Sequence, residues 1–382
     1  MNLPNYILFV LDRLKAHEAY VVGGSVRDHL LKRETNDYDI TTSASTKQIM
    51  EIFSDHKLIL NGLKHGTVRV IVDHQSVEIT TYRIDGNYIN HRQPTKVTFT
   101  TNLYEDLSRR DFTINALCYH PDKGIIDMFD GINDLKHKVI RAIGDPNKRF
   151  DEDALRMLRA LRFASQLGFT IEADTAKAIH ANKILLSYLS KERITHELQT
   201  IFTINDPKIL LDYTDIFNYL LDTSLSFKKL IPQLAFSQDF LTTLSLLADH
   251  DAKILERLSL SKAQQKIIKD NINYQHIDLN DKVTLKKLMR LSIDIPSLAS
   301  FKACLTLDPQ PQASLNTYQK IIAEHEPYLL KHLALNGQDL INVGIEKSQI
   351  NTCLIYCLDM VITEQCPNTK EALLKLIFPL FH

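Results

Sequence analysis

Ala19-Tyr20-Val21-Val22-Gly23-Gly24-Ser25-Val26-Arg27-Asp28, followed nine residues later by Asp37-Tyr38-Asp39-Ile40-Thr41, is the stretch on which the reading of this 382-residue chain turns. A short apolar run, ended by paired glycines and opening a helix from Ser25 to Lys32, reads as strand, tight turn and helix. Such a turn brings backbone N–H groups and a positive helix end close to an anion. Ser25 adds a hydroxyl donor, and Arg27 a guanidinium that can grip phosphate oxygens in pairs. A Gly-Gly turn alone is commonly structural; Asp37 and Asp39 change that. In a strand, residues two apart share a face, so the two carboxylates converge beside the turn. Like charges so placed call for a cation. Hard oxygen donors next to a triphosphate suit Mg²⁺, in the arrangement that two-metal phosphoryl transfer uses.

Working outward, the strand signals stay in the first part of the chain. Thr67–Asp73 and Ser76–Tyr82 are β-rich runs separated by His74-Gln75, which predicts a hairpin, and Ile125–Phe129 is a further candidate strand. Tyr82–Phe99 is polar, contains Gly86 and Pro94, and reads as a loop. Nine of the eleven glycines fall within the first 168 residues, so tight turns concentrate there. From Asp151 the period becomes helical, as in DALRMLRALRFASQLGF, and stays so through KILLSYL, ITHELQTIF, DFLTTLSLLADH and EALLKLIF. Prolines 207, 232, 296, 309, 311, 327 and 367 are expected between those helices. No internal repeat or low-complexity segment stands out.

Composition narrows the function classes. Hydrophobic content of 44% and charged content of 24% describe an ordinary globular protein. Forty-five basic against 46 acidic residues leave a net charge of −1, so any nucleic-acid contact comes from a local patch. Cys118, Cys304, Cys353, Cys357 and Cys366 form no C-x-x-C pair and read as buried, reduced thiols. MNLPNYILFVLDRL reads as an amphipathic helix rather than a targeting signal. No stretch approaches 18 apolar residues, and a cytoplasmic location is expected. Asp249-His250-Asp251, considered as a hydrolase metal site, lacks further spaced ligands and reads as a helix end.

Two further blocks carry chemistry. In Arg109-Arg110-Asp111-Phe112-Thr113-Ile114-Asn115-Ala116, the arginines could hold phosphate and Asp111 and Asn115 a ribose; an ordinary helix start with an ion pair reads equally well. In Asp151-Glu152-Asp153-Ala154-Leu155-Arg156-Met157-Leu158-Arg159-Ala160-Leu161-Arg162, helical spacing places Asp153 beside Arg156, and Arg156, Arg159 and Arg162 along a ribbon. Asp153 supplies acceptors and Arg156 a planar fork of donors, a pair able to read the Watson–Crick edge of a base. A surface ion pair is the plainer alternative.

Taken in order, GGSVRD, DYDIT, RRDFTINAL and RFDEDALRMLRALRFASQLGF resemble the class II tRNA nucleotidyltransferases, in particular the bacterial CCA-adding enzymes. The likeness is close over about residues 19–170 and agrees with the helical remainder in length and character. It implies an α+β protein: an α/β nucleotidyltransferase head (polymerase β-like mixed sheet) followed by all-α neck, body and tail, seahorse-shaped. The corresponding divisions are 1–140, 141–205, 206–300 and 301–382. It further implies that Asp37 and Asp39 are catalytic and bind Mg²⁺, and that Gly23, Gly24, Ser25 and Arg27 cradle the triphosphate. By the same likeness, Arg110, Asp111 and Asn115 contact phosphates and sugar. Asp153 and Arg156 serve as the template for CTP or ATP, with Arg159 and Arg162 as further nucleotide contacts. Glu78 reads either as a third carboxylate or as a plain strand residue. The implied partners are tRNA, held by its acceptor and T arms, and a second copy in a homodimer. The Tyr82–Phe99 segment resembles the loop that complete CCA-adding enzymes use to admit ATP. A-adding, CC-adding and poly(A)-polymerase activities, and a silent RNA-binding protein, stay open as alternatives at this point.

Overall fold

The computed structural model describes residues 1–35, 37–86, 88–89, 91, 93–94, 97–237, 239–308 and 312–381. The chain divides into two compact units, 1–223 and 224–382. The first begins with helix α1 (Asn5–Arg13), as the amphipathic N-terminal run predicts, then strand β1 (Ala19–Val22), α2 (Gly24–Leu30), β2 (Asp39–Thr42), α3 (Thr46–Ile52), β3 (Lys57–Ile59) and the hairpin β4 (Thr67–Val72) and β5 (Gln75–Thr81). After β6 (Arg83–Asp85), β7 (Tyr88–Ile89), β8 (Gln93–Pro94) and β9 (Val97–Phe99) come α4 (Leu103–Ser108), β10 (Cys118–His120) and β11 (Gly124–Ile126).

Seven strands form one mixed sheet in the order β11-β10-β1-β2-β5-β4-β3. The pair β2–β5 is parallel, and the other pairs are antiparallel. All four residues of β1 are buried, which is why a central strand with both faces covered reads as the unbroken apolar run Ala19-Tyr20-Val21-Val22. Tyr20, Val22, Tyr82, Leu103, Leu107, Ala116, Cys118 and Ile143 make one core cluster of this unit. The Thr67–Tyr82 hairpin is present as predicted.

Three expectations for the first unit need correction here. β2 starts at Asp39, so Asp37 precedes the strand rather than lying two positions along it. The segment expected as a loop contains two short antiparallel pairs, β6–β9 and β7–β8; its polar side chains hid strands too short to show alternation. Asn87, Asn90, Arg92, Thr95 and Lys96 of that segment lie outside the described residues. The block from Asp151 is divided between two helices rather than lying in one.

The remainder of the first unit follows α5 (Gly131–His137) and β12 (Val139–Ile140). This remainder comprises α6 (Pro146–Glu152), α7 (Leu155–Leu167), β13 (Thr170–Ile171), α8 (Ala173–Ala181), α9 (Lys191–Ile204), α10 (Pro207–Asp212) and α11 (Thr214–Leu221). Asp145 caps α6 by accepting from the Asn147 N–H at 3.0 Å, with Pro146 in the first turn. Asp153 ends α6 in an extended conformation (φ −139°, ψ 105°), and its carboxylate accepts from the Leu155 N–H at 3.1 Å as α7 begins. Residues 183–188, within KILLSYL, form a 3₁₀ segment. α7 ends at Gly168 in the left-handed region (φ 67°), a position that favours glycine.

The second unit is helical throughout its described elements: α12 (Phe227–Leu234), α13 (Phe240–His250), α14 (Lys262–Tyr274), α15 (Lys282–Arg290), α16 (Ile295–Thr306), α17 (Gln312–Ala323), α18 (Gly337–Asn342), α19 (Ile350–Ile362) and α20 (Lys370–Phe381). It holds two separate apolar clusters, one around Leu285, Ile295 and Leu298, the other around Leu340, Cys353, Cys357 and Leu373. All five cysteines are buried and unbridged. Asp249-His250-Asp251 is the end of α13. Pro232 lies inside α12 rather than between helices, and Pro309 and Pro311 fall outside the described residues. No described helix is long and apolar enough to cross a membrane.

Candidate functional site

The site is built where β1 stops and β2 starts. Gly23 leaves β1 at φ +79°, and a side chain there would lie 3.3 Å from the Arg110 Nη1. Glycine thus permits both the backbone conformation and the approach of the guanidinium. Ser25, in the first turn of α2, is buried with no hydrogen-bond partner for its Oγ, and the Arg110 Nε is buried and unpartnered as well. Buried polar atoms are nearly always satisfied, so unpartnered donors beside a glycine turn suit an anionic ligand.

Asp39, first residue of β2, is aligned with Val22 on one side and with Glu78 of β5 on the other. Although its side chain stands exposed at the strand's end, its carboxyl is pushed up to about 6. Desolvation by the surrounding protein is the largest cause, followed by the charges of Asp37 and Glu78; Arg110 and Arg69 pull the other way. A carboxylate held reluctant to ionise by desolvation and then by two neighbouring carboxylates has the hard oxygen donors that fit a divalent cation. Among the described residues no group of three or more His, Cys, Asp or Glu forms a metal cage. Glu78 is instead ion-paired with Arg69 of β4.

The RRDFTINAL block supports this site from below. Arg109 donates to Asp106, 2.7 Å from its carboxylate, and the Arg110 Nη2 lies 3.7 Å from the same side chain. Asp106 is fully buried and also accepts from the Thr41 Oγ1 at 2.9 Å. Burial alone would raise its carboxyl; Arg109 and Arg110 outweigh that and hold it below the ordinary value. Asp111 and Asn115, expected on a ribose, are buried and tied to other protein groups. The Asp111 Oδ1 accepts from the Phe112 N–H at 2.8 Å and the Asn115 Nδ2 at 3.0 Å, and its Oδ2 from the Arg159 Nε at 2.7 Å. The Asn115 Oδ1 in turn accepts from the Arg27 Nη1 at 2.8 Å. Arg27, also paired with Asp28 at 2.9 Å, is therefore held by protein groups on two sides. The result is a continuous chain, Arg27–Asn115–Asp111–Arg159, from the glycine turn to α7.

At the junction of α6 and α7 the predicted side-by-side pairing of Asp153 and Arg156 is replaced by two separate ion pairs. Asp153 lies outside the helix and accepts from the Arg193 Nη2 at 2.9 and 3.1 Å. Arg156 donates to Glu152 at 2.6 Å and to the Arg109 carbonyl at 2.9 Å. Arg162 donates to Glu197 at 2.6 Å. Arg27, Arg159 and Arg162 all sit over the Phe163 ring, at 5.1, 5.2 and 4.3 Å from its centre, within cation–π range. Sequence reasoning missed Arg69, Asp106, Phe163, Arg193 and Glu197. Arg193 and Glu197 left a signal: charges four apart on α9, a helix whose interior carries Ile194, Leu198 and Ile201.

The chain matches the Poly A polymerase head domain over residues 19–141 and the family described as "Probable RNA and SrmB- binding site of polymerase A" over residues 168–234. A CCA-adding enzyme of Pediococcus pentosaceus is 36% identical over 378 residues, 94% of this chain and 93% of that protein. One from Lactobacillus johnsonii is 53% identical over 201 residues, about half of each chain. Among solved structures, the CCA-adding enzyme of Bacillus stearothermophilus in complex with CTP superposes with a TM-score of 0.80 at 30% identity, covering 99% of this chain and 98% of that one. A Thermotoga maritima CCA-adding enzyme complexed with tRNA shares the fold at a TM-score of 0.67 and 21% identity, over 99% and 96% of the two chains.

Proposed function

The chain belongs to the CCA-adding enzymes, a family of tRNA nucleotidyltransferases, and from that membership we propose that it completes the tRNA 3′ end by adding C, C and A from CTP and ATP. The observation that carries the reading is one junction of the sheet. There the acidic pair Asp37/Asp39 stands beside Gly23 and the unpartnered donors of Ser25 and Arg110. In each step the tRNA 3′-oxygen loses its proton and bonds to the nucleotide α-phosphorus. The bond from that phosphorus to the bridging oxygen breaks, and pyrophosphate leaves.

The residues take the following roles. Asp37 and Asp39 would hold Mg²⁺, which supplies positive charge that favours the ionised hydroxyl and offsets charge on the transferring phosphoryl group. Gly23 and Gly24 keep the backbone low enough for phosphates to approach, while Ser25 and Arg110 donate to them. Arg27, Asp111 and Asn115 position this cradle rather than gripping the nucleotide themselves. Asp153 has a lone pair left beyond its bonds to Arg193 and Leu155, and Arg156 has N–H groups left beyond Glu152, Arg149 and Arg109. An acceptor and a donor so placed can face the Watson–Crick edge of cytosine or adenine. Arg159 and Arg162 hold the helix bearing Arg156 to Asp111 and Glu197. We assign nucleotide selection to 141–205, a connecting helical body to 206–300 and the grip on tRNA to 301–382, in a cytoplasmic homodimer whose stoichiometry sedimentation reads.

The test uses purified protein, Mg²⁺ and tRNA transcripts ending at the discriminator base, at C, or at CC, with CTP and ATP given separately and together. Growth by CC with CTP alone, then a single A and a stop with both, is the expected result. Extension of only the CC-ended transcript would make it an A-adding enzyme, and arrest after CC with both nucleotides a CC-adding one. Open-ended ATP addition would make it a poly(A) polymerase, and tRNA binding without extension would overturn the assignment of Asp37 and Asp39.

A pH dependence follows from Asp39. Its raised pKa means that the folded protein keeps this carboxyl protonated below pH of about 6. The kcat/KM for CTP addition is expected to fall as the pH drops through that value, and higher Mg²⁺ should push the acidic limb lower. A limb that ignores Mg²⁺ concentration would assign it to another group.

A further inference from the structure

We propose that a polar pocket on the far side of the acidic pair from the glycine turn receives the 3′-terminal nucleotide of the tRNA acceptor, with Arg69 holding its phosphate; this rests on the nucleotidyl-transfer reading above. Cross-strand register carries the argument. Ile59 of β3 is aligned with Arg69 of β4, Arg69 with Glu78 of β5, and Glu78 with Asp39 of β2. Aligned residues on neighbouring strands project from the same face, about 4.8 Å apart from strand to strand. The four therefore form a row that leads away from Asp39 on the side opposite Gly23. At its outer end Ile59, Asn61, His65, Thr67, Arg69 and Glu78 enclose about 360 Å³, a size that suits one small ligand.

Joining two substrates at Asp37 and Asp39 requires one on each side. The β1 side, with Gly23, Ser25 and Arg110, suits a triphosphate, so the β4–β5 side is left for the chain end that attacks. The charge there agrees. Arg69 is balanced by Glu78, both about half-exposed, so the pocket offers a guanidinium fork without the net positive charge that a triphosphate needs. A chain-terminal nucleotide brings one singly charged phosphodiester, which Arg69 can bind by turning partly from Glu78. Ile59 and the Thr67 methyl give an apolar floor for sugar or base, and Asn61 and His65 give donors at the rim.

The experiment compares full-length wild type with Arg69→Ala, Arg69→Lys and Asn61→Trp, the last filling the pocket from an exposed position. It measures CTP binding by equilibrium dialysis, kcat and KM for tRNA ending at the discriminator base, and crosslinking from a photoreactive thiouridine as the terminal nucleotide. Arg69→Ala is expected to lower kcat/KM for tRNA by roughly ten- to hundred-fold while CTP affinity stays within about two-fold, and lysine should restore part. The wild-type crosslink should map to residues 59–69 and be lost in Asn61→Trp. A crosslink elsewhere, a loss of CTP affinity with tRNA kinetics intact, or no change in Arg69→Ala would overturn the proposal. Should Arg69→Ala fail to fold, the wild-type and Asn61→Trp crosslinks still decide. Wild type that extends no tRNA would sink the transfer reading itself; extension with an indifferent Arg69 sinks only the pocket.

Discussion

Asp39→Asn leaves a folded protein whose nucleotide addition falls by ~10³-fold or more, with CTP binding changed only a few-fold; that is the expected result of the smallest substitution at the acidic pair. Charge stabilisation at a transferring phosphoryl group is worth several kcal/mol, and about 1.4 kcal/mol corresponds to each factor of ten. The amide keeps the shape and removes the charge. Stability should move the other way. Because the carboxyl of Asp39 is raised to about 6 from an ordinary 3.8, its contribution to stability is fully present below the lower value and is lost as pH rises through the upper one. At neutral pH the ionised group opposes folding, so the asparagine variant should melt at the same temperature as wild type or higher, with the difference vanishing toward pH 4. Single-turnover kinetics and calorimetry on one preparation check both halves. Lost activity together with a lower melting temperature would make Asp39 structural.

The second large effect falls on stability. Asp111→Ala removes the carboxylate that joins Arg159 to Asn115 and, through it, to Arg27. Breaking a buried pair from one side costs about 3–5 kcal/mol; Arg159 keeps about a third of its side chain in water, which favours the lower end. A melting temperature lower by roughly 10 °C is expected. Burial alone would raise the Asp111 carboxyl, but Arg159 and Asn115 outweigh it and hold it below the ordinary value. Its stabilising contribution is therefore present at neutral pH and fades as the pH falls through the carboxylate range, so the gap between variant and wild type should narrow in acid. Replacing Arg159 by methionine in the same chain should recover part of the loss, since no unpaired charge is then left behind. An unchanged melting curve would show that the chain of bonds carries no stability.

What was legible in the sequence was whatever a short window determines. Ala19–Val22 with two glycines after it fixes strand, turn and helix locally, and the Thr67–Tyr82 hairpin follows from two β-rich runs and a short turn. The acidic pair was visible because Asp37 and Asp39 are neighbours in sequence. Partnerships across the fold were not. Arg156 and Asp153 look like natural partners three residues apart, yet the helix breaks between them, because the Asp153 carboxylate caps the start of α7, and each takes a more distant partner: Arg193 lies 40 residues from Asp153. Asp111 and Asn115 were visible as polar residues in a motif, but their bonds to Arg159 and Arg27 cross the fold and leave no signal in a short window. Pro232 was expected to end a helix and instead lies within one.

The line of bonds from Arg27 to Arg159, with the Phe163 ring packed under both guanidiniums, has a consequence for how the molecule opens. The α2 segment and the α7 segment, over 120 positions apart in sequence, are tied to each other, because loosening α7 leaves the buried Asp111 carboxylate without Arg159, and loosening α2 takes Arg27 from Asn115 and from the Phe163 ring. They belong to one cooperative unit in the sense of native-state exchange. Backbone amides in Gly24–Leu30 and Leu155–Leu167 would then trade hydrogen for deuterium with a shared opening free energy, and a fragment cut after the sheet would lose that protection in α2 although every residue of α2 were still present.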